Sequence, residues 1–230
     1  MTTFVLIHGS YQGGWIWQPV ADRLRAAGHT VYAPTLDGCG ERKHALRPGI
    51  TTETQATEIA DLLFYEDLRD VVMVGTSSGG MVLCRAAERQ PNRISRLAFV
   101  DALALLPGER IRDIVRRSTA VPSGLAAGPT REDAESRLFG DLDPQARAWA
   151  LDRYTLHPIG IYEKPVELQS FWDRQWPATV IWCRRAANPG EAHQRRTAEK
   201  LGAQWHELDT GHYPMLSQPD ALTALLTTRQ

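Results

Sequence analysis

Three cysteines in 230 residues, Cys39, Cys84 and Cys183, are odd in number and too widely spaced for a disulfide framework or a zinc motif. No apolar run approaches the roughly 20 residues that a membrane-spanning helix needs. An excess of one charge is also missing: 26 Lys and Arg face 27 Asp and Glu. That balance offers no basic stripe for nucleic acid and no polybasic patch for a membrane surface. Residues 1–8 lack a cationic stretch leading into a long apolar one, so they read as a strand and not as a signal peptide. There is no internal repeat and no low-complexity stretch. The expectation is a cytoplasmic chain, reduced and free of metal; with nucleic acid and membrane set aside, a small-molecule substrate is the partner to expect. At 43% hydrophobic and 23% charged residues, the composition supports one globular domain, with room for an insertion.

What is present centres on Asp70-Val71-Val72-Met73-Val74-Gly75-Thr76-Ser77-Ser78-Gly79-Gly80. A β-branched run feeds Gly75-x-Ser77-x-Gly79, and a helix-forming stretch follows. This is a strand, a sharp turn and a helix, with a serine at the apex. The turn lifts the hydroxyl clear of the sheet and aims backbone N–H groups at whatever the serine attacks. Gly-x-Ser-x-Gly alone is weak evidence; the flanking strand and helix make it specific.

Short apolar runs predict strands over 3–8, 30–34, 70–74, 96–100, 178–183 and 204–208. Helical patterns predict helices over 17–27, 52–65, 79–90, 191–201 and 219–227. The alternation argues for an α/β fold, a doubly wound, mostly parallel sheet of about six strands. Between 102 and 176 the rhythm breaks, and no strand is expected there. That stretch reads as a helical cap, with helices over 109–117, 131–139 and 144–154, inserted into a core formed by 1–101 and 177–230.

Ligands of such sheets sit at the carboxyl ends of the strands, and four predicted strands end in reactive residues. Ser77 is the candidate nucleophile, which needs a base within reach. His212, in Asp209-Thr210-Gly211-His212, follows the last strand and is the candidate base. Gly211 would permit the tight exit. Other histidines read as structural, among them His193 on an exposed helix face. The acid that orients the imidazole stays open between Asp101, closing an apolar strand, and Glu191, the first carboxylate after the fifth strand. Two backbone N–H groups should face the developing oxyanion. Ser78 supplies one; Ser10, with Tyr11 as the alternative, supplies the other from the loop after the first strand. An apolar, aromatic substrate pocket is expected from Gly9, Tyr11, Trp15, Leu103, Trp149, Tyr154 and Trp172.

Those residues bring a resemblance into view. Phe4-Val5-Leu6-Ile7-His8-Gly9 followed by Gly14-Trp15-Ile16-Trp17 resembles the branch of the α/β-hydrolase superfamily that holds plant methylesterases and hydroxynitrile lyases. Gly28-His29-Thr30-Val31-Tyr32, Thr35-Leu36-Asp37-Gly38 and Val100-Asp101-Ala102 are similar to bacterial members, including carbendazim-hydrolysing esterases. The resemblance implies serine hydrolysis of an ester or a methyl carbamate through an acyl-enzyme, a catalytic triad, no cofactor and a helical cap. In the plant relatives the acid follows the penultimate strand, where this chain has Arg184-Arg185-Ala186 instead. A receptor with little turnover and a lyase are the alternatives; Gly9 after His8, and the lack of a matching lysine, weigh against the lyase.

Overall fold

A computed structural model describes residues 1–115 and 121–228. In chain order its strands are β1 (Thr3–Ile7), β2 (Thr30–Tyr32), β3 (Val71–Ser77), β4 (Ile94–Ala102), β5 (Val121–Ser123), β6 (Ala126–Gly128), β7 (His157–Pro158), β8 (Ala178–Cys183) and β9 (Gln204–Leu208). Six of them form one sheet in the order β2-β1-β3-β4-β8-β9, parallel at every pairing. Parallel neighbours need crossover connections, and the helices α1 (Gln18–Ala26), α2 (Thr52–Tyr65), α3 (Gly79–Arg89), α4 (Glu191–Leu201) and α5 (Pro219–Thr227) accompany them. This is the α/β-hydrolase fold.

Side chains alternate across the strands, so each face builds its own core. Val5, Ile7 and Met73 bury against α2 and α3 through Ile59, Leu63 and Leu83. Phe4, Leu6 and Val74 bury on the other face against α1 and α5 through Val20, Leu24 and Leu222. Complete burial of each such side chain is worth roughly 1.5–3 kcal/mol, which fixes the register of the central strands. Helix ends follow local chemistry. Thr51 caps α2 in a reciprocal pair with Thr54, and Gly202, at φ 58°, closes α4.

Two expectations need correction. The segment between β4 and β8 is not free of strands: β5, β6 and β7 form a small antiparallel sheet beside short helices. Its strands are two or three residues long, too short to show a period of two. The helix expected over 109–117 is a single turn, Ile111–Ile114, and the end of that prediction lies outside the described residues. In the core, β3 and β4 run past their predicted ends, through Ser77 and Asp101.

Candidate active site

The chain turns sharply at Ser77, whose φ of 51° is in the left-handed region. A residue with a Cβ stays there only when its surroundings hold it. Here the surroundings are backbone. A Cβ on Gly79 would stand 2.5 Å from the His8 carbonyl oxygen, and one on Gly9 would stand 2.5 Å from Ser77 Cβ. Glycine at both positions lets the end of β1, the turn and the start of α3 close on one another. Ser78 then stands at the N-terminus of α3, and its Oγ lies 2.9 Å from Ser10 Oγ. That bond ties the loop after β1 to the turn.

His8 completes this frame. It is fully buried; its Nδ1 lies 2.8 Å from the Gly9 carbonyl, and its Nε2 accepts the Leu36 N–H at 2.9 Å. Nδ1 is therefore the protonated nitrogen, and burial lowers the pKa to about 4. Both nitrogens serve the backbone, so His8 holds the loop and is not a base.

Asp101 follows Val100 in β4, where the β3–β4 register slips. Thr76 stands opposite Val100, and Ser77 opposite Ala102. Asp101 is the extra residue of a bulge, at φ 45°. Its carboxylate is completely buried and meets His212 Nδ1 at 2.5 Å, while the Cys183 N–H points to its other oxygen at 3.5 Å. Burial raises the Asp101 carboxyl above its ordinary value, and the His212 bond and the Cys183 N–H pull it back. A carboxylate at Nδ1 requires the proton on that nitrogen and leaves a lone pair on Nε2. Glu191 is elsewhere: it sits exposed in the first turn of α4, paired with Arg195 at 2.7 Å.

Ser77 and His212 line one cavity of about 250 Å³, together with Ser10, Tyr11, Ser78 and Leu103. Among the described residues no hydrogen bond joins Ser77 to His212; in free hydrolases that contact often tightens only with substrate. Trp15, Trp149, Tyr154 and Trp172, expected as pocket walls, are not on it. Trp15 packs edge to face on Trp149, the Tyr154 hydroxyl donates to the Pro129 carbonyl, and Trp172 Nε1 donates to the Leu105 carbonyl. Each ring is spent on holding the segment between β4 and β8. Gly9 adjoins the site from beneath Ser77 without lining the cavity.

The walls missed by sequence reasoning come from aliphatic residues and two further tyrosines. Ile111, Pro129, Leu138 and Tyr162 face the cavity from the insertion, with the Asp133–Arg137 pair at its edge. Asn188 and Pro189 reach it from the loop after β8, and Tyr213 lies buried next to His212. Only the position of Tyr213 beside His212 carried a sequence signal. His193 is a further correction. It is buried, not exposed, and its Nε2 accepts the Ala104 N–H at 3.0 Å, fixing the chain just beyond Asp101. Among the described residues no group of three His, Cys, Asp or Glu side chains is placed to hold a metal ion, and no helix is long and apolar enough to cross a membrane.

Residues 4–225 match the alpha/beta hydrolase family. The chain is 32% identical over 181 residues to a carbendazim hydrolyzing esterase of a Nocardioides species, covering 73% of this chain and 74% of that protein. Against methylesterase 3 of Arabidopsis thaliana it is 28% identical, covering 96% and 93%. An extracellular alpha/beta-hydrolase from a Paenibacillus species superposes with a TM-score of 0.83 at 24% identity, over 98% of both chains.

Proposed function

This chain belongs to the alpha/beta hydrolase family, and from that premise we propose that it is a serine esterase that opens small carboxylic esters or carbamates through an acyl-enzyme. Ser77 Oγ attacks the carbonyl carbon. His212 Nε2 takes the serine proton and passes it to the leaving oxygen. Asp101, at Nδ1, orients the ring and stabilises the imidazolium. The N–H groups of Ser10 and Ser78 face the oxyanion, helped by the positive end of α3. Water, activated by the same imidazole, then releases the acyl group. Residues 102–176 act as a cap over the cavity.

The observation that carries the proposal is the 2.5 Å contact between buried Asp101 and His212, which lines the same cavity as Ser77, the serine of a strained strand–helix turn. Favouring an aromatic methyl carbamate is the relative named for carbendazim hydrolysis. The lining of the cavity, with Tyr11, Tyr162 and Tyr213 around it, also suits an aromatic ring. With that substrate methanol leaves, water releases a carbamic acid, and loss of CO₂ gives the amine.

Purified protein given p-nitrophenyl acetate and, separately, the methyl carbamate of 2-aminobenzimidazole tests the reading. Multiple turnovers on the first support the esterase, and methanol with free amine from the second supports carbamate cleavage. No turnover on any ester or carbamate of a broad panel would contradict it.

A further inference from the structure

We propose that Asp141 is a positioning residue for the base, fixing from the insertion the loop that carries His212; the inference rests on the reading of His212 as base. Asp141 Oδ2 accepts the Gly211 N–H at 2.9 Å, across 70 residues of chain. The fit is close. A Cβ on Gly211 would lie 2.2 Å from Oδ2, 2.5 Å from Cγ and 2.8 Å from Oδ1 of the same carboxylate. Gly211 is not among the glycines at positive φ, so its backbone does not demand glycine. What demands it is the carboxylate of Asp141.

The turn that presents Asp141 is built to stay still. Phe139 and Leu142 are buried on either side of it. Arg147 reaches back from the following helix and donates to three carbonyls, those of Phe139 at 3.2 Å and of Gly140 and Leu142 at 2.9 Å. The same turn touches the other neighbour of His212 as well: the rings of Phe139 and Tyr213 pack with centroids 5.0 Å apart. His212 is thus bracketed, its preceding residue held by Asp141 and its following residue by Phe139. A small displacement of a proton-transfer group costs orders of magnitude in rate, so an anchor one residue from the base acts on kcat. Leu138, next to this turn, lines the cavity. The segment that roofs the substrate therefore also sets the base.

The full-length protein and four variants, Asp141→Asn, Asp141→Ala, Gly211→Ala and the double Asp141→Ala/Gly211→Ala, test this with p-nitrophenyl acetate. Asp141→Ala is expected to lower kcat about tenfold or more while KM stays within twofold. Asp141→Asn keeps an acceptor and restores at least half of the wild-type rate. Gly211→Ala lowers kcat to a similar degree, and the double variant is no slower than Asp141→Ala, because the added methyl then has room. Full activity in Asp141→Ala, equal losses in the Asn and Ala variants, or losses that multiply in the double variant would each overturn the proposal. Amide exchange at Gly211 supplies a readout independent of turnover. Protection in the wild type that is lost in Asp141→Ala supports the anchor, and equal exchange in both overturns it. If the wild type turns over no ester, the hydrolase reading fails while exchange still reads the anchor.

Discussion

Ser77 and Asp101 leave the sheet side by side, from adjacent strands, both at positive φ (51° and 45°), where the β3–β4 register slips by one residue. The slip turns the Asp101 carboxylate out of the ladder toward the imidazole. Both residues are strained relative to glycine by about 1–2 kcal/mol.

Asp101→Asn should separate strain and charge from catalysis. Asparagine tolerates the left-handed region and removes a buried carboxyl that burial already disfavours. Stability in urea should hold within about 1 kcal/mol or rise, while kcat falls by roughly 10³–10⁴ because the imidazole loses its oriented tautomer.

Gly9→Ala places a methyl against the Ser77 side chain, with Cβ to Cβ at 2.5 Å. Either the loop after β1 or the turn must shift. The expected outcome is a kcat at least about tenfold lower with a retained far-ultraviolet circular dichroism spectrum, since the contact is local and the core is untouched.

Acid should unfold the protein through two buried histidines. Burial holds His8 and His193 at about 4, against 6.5 unfolded, with Arg196 adding to the effect at His193. Between pH 6.5 and 4 the unfolded chain binds more protons than the folded one. Their contribution is therefore complete above about 6.5 and lost as pH falls toward 4, by up to about 3 kcal/mol each. Denaturant melts from pH 7.5 to 4 measure the slope. His8→Asn and His193→Gln should flatten it.

The division between cavity-wall and structural aromatics predicts opposite phenotypes. Leu138→Trp fills a cavity of about 250 Å³ and should lower kcat/KM for bulky aryl esters by more than about tenfold, at little cost in stability. Trp172→Ala removes a packed ring and its bond to Leu105. It should cost on the order of 2–4 kcal/mol and leave KM for the small acetate unchanged.

The sheet was legible because its central strands are apolar runs of 5–9 residues in a βα rhythm, and the turn at Ser77 because its glycines and serine stand between a clear strand and a clear helix. The pairing of His212 with Asp101 was half legible. Topology brought Asp101 near, but the bulge that aims its carboxylate leaves no mark in Leu97-Ala98-Phe99-Val100-Asp101. Asp101 was therefore the favoured acid on topology alone, with Glu191 as the alternative until the register was known. The cavity walls were legible only in part: Tyr11 and Leu103 line the cavity, and the other expected rings do not. Large rings such as Trp149 attract attention in a sequence, yet they are the residues best able to hold an insertion together, and part of the cavity wall is left to Ile111, Leu138 and Pro129. His193 misled because a helix with a polar composition hides which of its faces meets Ala104.

The central claim, that Ser77 is a nucleophile activated by His212, is tested most directly by reaction with a fluorophosphonate followed by intact-mass measurement and peptide mapping. The account predicts one phosphonyl group per chain, on Ser77, absent in Ser77→Ala and formed about 10³-fold more slowly in His212→Ala. An adduct on another residue, or ester turnover surviving in Ser77→Ala, would contradict it.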